Sequence, residues 1–559
     1  MINGQKVPES DLLSSQESSL GDFWIPIYSK STNNAFQATH FEQAMLNIIK
    51  QPNINSTVIM RADILKENVY DREKGDTTFT SSKLISEFPH FPSSANSKEQ
   101  VLHRDIQDVE IRNIPETKIN LTKKYEIVRR IIPRNPYKDH IINQTCLMLS
   151  GDESVLVVYI PHITTKEEIP FYLPPVYGIG LLYHKDIVSI HYLPFNYNES
   201  EEATLLKSMS AYERPIRIAL RLLETSTKHS AGVKAGYAKR VNHDLVVPKI
   251  EFQNRYISLK KKYSLKLVNE WCESTDPKKH VFEDLAIAAF LIEYWILKGL
   301  TPDSFEFRDM GCGNGLLVYI LIMEGYRGQG IDARARKSWS IYPENVQQNL
   351  LEQVIIPSVL LKPHPSLSRL APDITDNGRQ FKELVKDNSA DGFSIKYHSS
   401  KELLNSDKVC TMEDFPKNTF IIGNHSDELT CWIPLFGFPF IVIPCCSHAL
   451  NGAKARYPPR KQLVTPSQQG APAVPQSSTY ASLVDHVEDI SGMMGWKIEK
   501  EMLRIPSTRN AAIIGHEKYI NESEEASMLR TLDLIALEGG AEGWVENSMM
   551  LMKKAPRNH

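Results

Sequence analysis

An acid, three alternating glycines and a second acid carry the clearest chemistry in the chain. They stand as Asp309-Met-Gly311-Cys-Gly313-Asn314-Gly315, a short apolar run, and then Gly330-Ile-Asp332. Glycine permits a tight turn and a close approach of backbone to ligand. Asp332, seventeen residues beyond Gly315, can accept two hydrogen bonds from ribose hydroxyls. Together these residues point to a nucleotide held at the carboxyl ends of parallel strands. Two nucleotide motifs are excluded. The third glycine of a G-x-G-x-x-G turn would fall on Leu316 or Val318, and no G-K-[ST] occurs, so there is neither a dinucleotide fingerprint nor a phosphate loop.

A second polar stretch, Gly423-Asn424-His425-Ser426-Asp427-Glu428-Leu429-Thr430, closes another apolar run. At a strand end, Asn424, His425 and Asp427 could orient or deprotonate a nucleophile. The same Ser, Asp and Glu equally suit the cap of a following helix. Cys445, Cys446 and His448 follow a further strand-like run, and His448 is another candidate base. Their spacing is too close for a zinc site and no second pair exists, so no metal is expected.

Alternating elements position these groups. Residues 305–309, 329–332, 419–423 and 440–444 read as short buried strands, with a helix at 316–324. The pattern predicts an α/β doubly wound sheet. Residues 502–506 and 511–515 read as a terminal antiparallel hairpin. Upstream, 281–297 is a nearly all-apolar helix, capped by Asp276 and Pro277 and ended by Gly299. It contains Glu283, Asp284 and Glu293, is short for a membrane span, and reads as a buried core helix.

The 559 residues are 42% hydrophobic and 23% charged, as in an ordinary globular protein, and exceed what one core usually supports. We divide them into a polar, partly disordered region (1–120), an α+β module (121–200) with strands at 156–160 and 187–193, a basic helical connector (201–275) and a catalytic domain (276–550). The Pro-rich stretch 457–480 reads as a loop or lid. Seven irregularly spaced cysteines argue against a disulfide framework, and the polar start is not a signal peptide, so the cytosol is the expected location. The net charge of −3 excludes a uniformly basic surface. Two tracts depart from it. Residues 228–262 hold nine Lys/Arg against two acids, including Lys260, Lys261 and Lys262, with tyrosines between; residues 123–139 hold six against two. Both suggest a local polyanion surface, or else a solvated face. Arg334, Arg336 and Lys337, just beyond Asp332, could hold phosphate.

The glycine turn resembles motif I of class I methyltransferases, where it lies against the methionine and ribose parts of S-adenosyl-L-methionine and the second acid holds the ribose. A wider set resembles one narrower family. Asp309-Met-Gly-Cys-Gly-Asn-Gly-Leu-Leu-Val, Gly330-Ile-Asp-Ala-Arg-Ala-Arg-Lys-Ser-Trp339, Gly423-Asn-His-Ser-Asp-Glu-Leu-Thr430, Pro444-Cys-Cys446 and Leu503-Arg-Ile-Pro-Ser-Thr-Arg509-Asn510 are similar to the eukaryotic tRNA uracil-2′-O-methyltransferases that modify uridine-44 of serine tRNA. Lys279-His-Val-Phe-Glu-Asp284 and Arg130-Ile-Ile-Pro-Arg-Asn-Pro136 look like the same family, which spans roughly 120–545. The resemblance implies a class I, Rossmann-like domain and methyl transfer to a ribose 2′-hydroxyl in the cytoplasm. It further implies cofactor contacts from Asp309, the turn, Asp332 and Asn424, and RNA contacts that include Arg509. Cys431 departs from it, standing where a proline is expected. Neither the residues nor the resemblance chooses the base among His425, Asp427 and His448.

Overall fold

A computed structural model of the chain describes residues 12–13, 16–71, 73–81, 106–136, 138–196, 200–237, 243–386, 393–460 and 478–553. Most of the Pro-rich stretch 457–480 thus lies outside the described residues. Contacts divide the chain into two units, Met1–Lys239 and Arg240–His559. Among the described residues, no helix is long and apolar enough to cross a membrane. All seven cysteines are free thiols.

The first unit is built on one antiparallel sheet of eight strands: β1 (Ile25–Ser31), β2 (Ile59–Val69), β3 (Thr77–Thr80), β4 (Thr122–Pro133), β5 (Ile142–Ser150), β6 (Ser154–Pro161), β7 (Gly178–His184) and β8 (Ile187–Leu193). They lie in the order β1-β8-β7-β6-β5-β4-β2-β3. Helices α1 (Ala38–Lys50) and α2 (Arg214–Lys234) share a core with one face. Val155, Val157 and Tyr159 of β6 join that core, while Leu156, Val158 and Ile160 join a second one around Leu20 and Trp24. With both faces covered, β6 is buried at every position.

Two sequence expectations change here. The boundary at 120/121 does not appear, because β1 and β2 pair in the same sheet as β4–β8 and α1 packs against it. β2 is interrupted by Arg61, Asp63, Lys66 and Glu67 and β1 by Ser29 and Lys30, which hides them in composition. The basic tract 123–139 is only partly a free surface: Arg134 and Lys138 are exposed, but its two arginines on β4 are buried. The Arg129 guanidinium is buried and donates to the Ile48 and Ile49 carbonyls at the end of α1 and to Gln144. Arg130 is fully buried against Asn143 and the Ile106 carbonyl. Lys123 and Lys124 pair with Glu126 and Glu42. The two desolvated and partnered arginines hold elements together.

The second unit centres on a seven-stranded sheet. Its strands are β9 (Glu306–Met310), β10 (Gly328–Asp332), β11 (Leu350–Glu352), β16 (Thr419–Asn424), β17 (Phe440–Ile443), β18 (Trp496–Met502) and β19 (Ala511–Lys518). Two small pairs lie between: β12 (Val354–Ile355) with β15 (Val409–Cys410), and β13 (Gln380–Lys386) with β14 (Phe393–Ser399). The order is β11-β10-β9-β16-β17-β19-β18, parallel through β17, with β19 antiparallel to both neighbours. The chain runs outward from β9 to β11 and returns to the other side of β9 as β16. The order therefore reverses between β9 and β16, where a crevice opens at the carboxyl ends. The antiparallel pair differs from expectation: its first strand is Trp496–Met502, and 503–510 is the connection. Four of that strand's seven residues are charged, one of them the buried Glu501, so composition masked it.

Helices α3 (Lys249–Asn269), α4 (Pro277–Leu297) and α5 (Leu316–Met323) share a core with the sheet. The Asp276 side chain caps α4 by accepting from Lys278 N at 2.9 Å, worth about 1 kcal/mol. Leu285, Phe290 and Trp295 are buried along it, each contributing about 1.5–3 kcal/mol. Helices α6 (Thr479–Met493), α7 (Glu524–Leu537) and α8 (Trp544–Leu551) contribute to another core. The unit boundary at 239/240 divides the expected connector 201–275, leaving α2 in one unit and α3 in the other.

Candidate active site

The carboxyl ends of β9, β10 and β16 open into a cavity of about 510 Å³. The glycine turn forms part of its wall. Gly311, Gly313 and Gly315 have φ of +79°, +54° and +72°, a region costly for residues with a Cβ. A Cβ on Gly313 would meet nothing within 4 Å, so this stretch of backbone is open to a ligand. Asp332 holds the turn from outside: Oδ2 accepts from Gly313 N at 3.0 Å and Oδ1 from Arg334 N at 3.1 Å. Each oxygen keeps a second lone pair for a hydroxyl. Trp339 Nε1 donates to the Gly313 carbonyl, and the Ser338 and Tyr342 hydroxyls donate to that of Asn314. The Asn314 side chain accepts from Leu316 N at the start of α5.

Behind the turn lies a group of buried acids. Asp309 is 1% exposed, and its Oδ1 has no hydrogen-bond partner. Burial, with Asp284 and Asp332 nearby, holds its carboxyl well above the usual range. Burial and the adjacent Glu283 push Asp284 up to about 8. Buried carboxyls without a counter-charge are costly, and such perturbed acids concentrate at functional sites. An orphaned acid oxygen, an open stretch of glycine backbone and a carboxylate with spare lone pairs fit a ligand that carries a ribose and a positive charge.

The β16 end supplies the third wall. Asn424 Nδ2 donates to Asp284 Oδ1 at 3.2 Å, and His425 Nε2 lies 3.0 Å from Glu283 Oε1. His425 and Asp427 both have left-handed backbones, with φ of +53° and +44°. The Cys445 thiol donates to Asp427 Oδ1 at 3.0 Å. Its bond with Cys446, burial and Asp427 hold it well above the usual thiol range. Asp427, Cys445 and Cys446 place three potential metal-ligating atoms within 4.8 Å of one another, the one such group among the described residues. A structural zinc takes four ligands.

Of the residues singled out in the sequence, the cavity wall brings together Asp309, Gly311, Gly313, Asn314, Asp332, Asn424, His425 and Asp427, with Arg334, Arg336 and Arg509. Gly315 lies outside it, against Leu350 and Trp339. So does His448, which is buried 4.0 Å from Glu428. Lys337 is exposed at the start of the turn Lys337–Ile341. Lys260, Lys261 and Lys262 lie on α3 outside the wall; Lys262 pairs with Glu324 at 2.7 Å, and Lys260 sits 5.3 Å from the Phe282 ring. Cys431, buried, donates its thiol toward the His448 carbonyl. The sequence reading did not place Glu283 and Asp284 of α4, nor Trp544 and Ser548 of α8, at the site. Two adjacent acids in an apolar helix were the available signal for the first pair.

Comparison with known proteins agrees with this division. A family model described as "TRM44-like, N-terminal bet v1-like domain" matches residues 5–240. One described as "Predicted AdoMet-dependent methyltransferase" matches residues 246–357. A Debaryomyces hansenii protein named tRNA (uracil-O(2)-)-methyltransferase is 62% identical over 99% of this chain and 98% of its own length. Relatives of the same name from Saccharomyces cerevisiae and Schizosaccharomyces pombe are 51% and 34% identical, over 97% and 96% of this chain and 95% and 94% of theirs. No solved structure matches.

Proposed function

The chain belongs to the tRNA (uracil-O(2)-)-methyltransferase family, and on that premise we propose that it methylates the ribose 2′-hydroxyl of a uridine in tRNA, with uridine-44 of serine tRNA as the target. The observation that carries this reading is the cavity itself: orphaned Asp309, open glycine backbone and Asp332 meet the end of β16 at the point where the strand order reverses. We assign the second unit to the class I arrangement on its strand order.

S-adenosyl-L-methionine supplies a methyl group already activated on a sulfonium. Asp332 and the glycine turn would hold its ribose, and Asp309 and Asn424 its charged methionine end. The protein's remaining tasks are to align the acceptor oxygen and to take its proton. His425 lines the cavity and is the leading base. Asp427 and His448 are alternatives, His448 the weaker because it lies outside the wall. Arg334, Arg336 and Arg509 at the wall would hold RNA phosphate, with Lys337 and the lysines of α3 in support. Domain roles follow: the basic stretch within 201–275 contacts RNA, and 276–550 performs the chemistry, in the cytoplasm.

The test is incubation of the full chain with labelled S-adenosyl-L-methionine and total tRNA, followed by nucleoside analysis. Label in 2′-O-methyluridine from serine tRNA is expected. Label only in a methylated base, or none in RNA, would overturn the assignment.

A further inference from the structure

Two adjacent acids of α4 meet two adjacent side chains at the end of β16. Glu283 reaches His425, and Asp284 reaches Asn424, across 142 and 140 residues of sequence. The turns of α4 that follow are buried in the core, so the acids cannot drift along the crevice. The Glu283 side chain is 7% exposed and the His425 ring 29%. The ring's other nitrogen, Nδ1, is shielded and has no hydrogen-bond partner.

We propose that Glu283 is the positioning residue for His425. It accepts the Nε2 hydrogen, fixes the ring as the tautomer with a bare Nδ1, and stabilises the imidazolium that forms when Nδ1 takes the acceptor's proton. This rests on the methyl-transfer reading above. The step balances. The ribose O–H bond breaks and its proton goes to Nδ1, the oxygen bonds to the methyl carbon, and the sulfur keeps the electron pair of the broken carbon–sulfur bond. The positive charge thus passes from sulfonium to imidazolium, beside a carboxylate already in place. Without that carboxylate the ring could rotate or carry its hydrogen on Nδ1, where it could accept nothing.

Other ionisable groups share the wall with His425: Asp284 on α4, Asp309 at the end of β9, Asp427 in its own loop, Cys445 beyond β17 and Arg509 between β18 and β19. Among the described residues, Glu283 is the one whose side chain reaches a nitrogen of the His425 ring.

The experiment uses the full chain with S-adenosyl-L-methionine and serine tRNA. Glu283→Gln should lower kcat about 10- to 100-fold, with KM for both substrates within about twofold. Glu283→Asp should restore part of kcat. Added to His425→Ala, Glu283→Gln should cost nothing further. An unchanged kcat, or a cost that adds to that of His425→Ala, overturns the proposal. Nitrogen chemical shifts of the His425 ring in the wild-type chain decide independently of any variant that folds poorly: a bare Nδ1 supports the pairing and a protonated Nδ1 overturns it. If the wild-type chain methylates no tRNA, the functional reading fails, and the tautomer still decides the pairing.

Discussion

Arg61 in the first unit and Asp309 in the second are each 1% exposed. Arg61 meets Asp63 at 2.7 Å, whereas one oxygen of Asp309 meets nothing. The contrast extends across the units. Among the described residues of the first, no buried unpartnered side-chain atom belongs to a carboxylate, guanidinium or imidazole. In the second, Asp309, Arg336 and His425 each hold such an atom at the cavity wall, beside Asn424. Buried polarity that is fully partnered fixes a fold. Buried polarity left open costs free energy that only a ligand recovers. The first unit pairs its buried charges, and the second leaves several open at the cavity wall.

The strongest way to break this contrast is Arg61→Leu. It removes the guanidinium paired with Asp63, leaving the facing Arg130 as the counter-charge, and should destabilise the first unit by about 3–5 kcal/mol in denaturant unfolding. A loss under about 1 kcal/mol would mean that the pair is no fastener. Next is Asp332→Ala, which removes the acceptor of two backbone N–H groups as well as the ribose contacts. Calorimetry should show S-adenosyl-L-methionine affinity weakened by about 1–3 kcal/mol, and unchanged affinity in a folded variant would refute its role.

Asp284→Asn tests the open acids through pH. In the folded chain burial keeps the Asp284 proton up to about pH 8, while the unfolded chain releases it near pH 4. Between these values the folded state binds more protons, so stability falls as pH rises. The asparagine variant lacks this slope and should gain about 1–3 kcal/mol on the wild type between pH 5 and 8. Parallel stability curves would show that the acid sits comfortably there. The smallest effect belongs to Lys260, Lys261 and Lys262. With Lys262 held by Glu324, replacing all three with Ala should weaken tRNA binding only about two- to threefold and lower its salt slope slightly. A loss of a hundredfold would move the RNA surface to α3.

What the sequence made legible was local. The glycine turn, Asp332 and the 423–430 stretch each announce themselves within a few residues, because a turn and a strand end are set by neighbours in the chain. Glu283 and Asp284 did not. Their partners lie some 140 residues away, and α4 reads equally well as an ordinary core helix. Arg129 and Arg130 misled for a related reason, since a buried guanidinium and a solvated one have the same letter. In the first unit, β1 and β2 were hidden because their apolar residues are spaced by polar ones. The strand β18 was hidden because four of its seven residues are charged.

The wall of the cavity begins at Glu273 and is finished by Trp544, Ser548 and Leu551 on α8. A ribosome delivers those residues last, at about 5–20 residues per second. The strands and the glycine turn leave it well before the chamber they serve can close. A full wall thus needs Glu273 through Leu551 joined in one folded chain, which a bound methyl donor would stabilise. A message cut short just before Trp544 would encode every strand of the sheet yet no finished vessel.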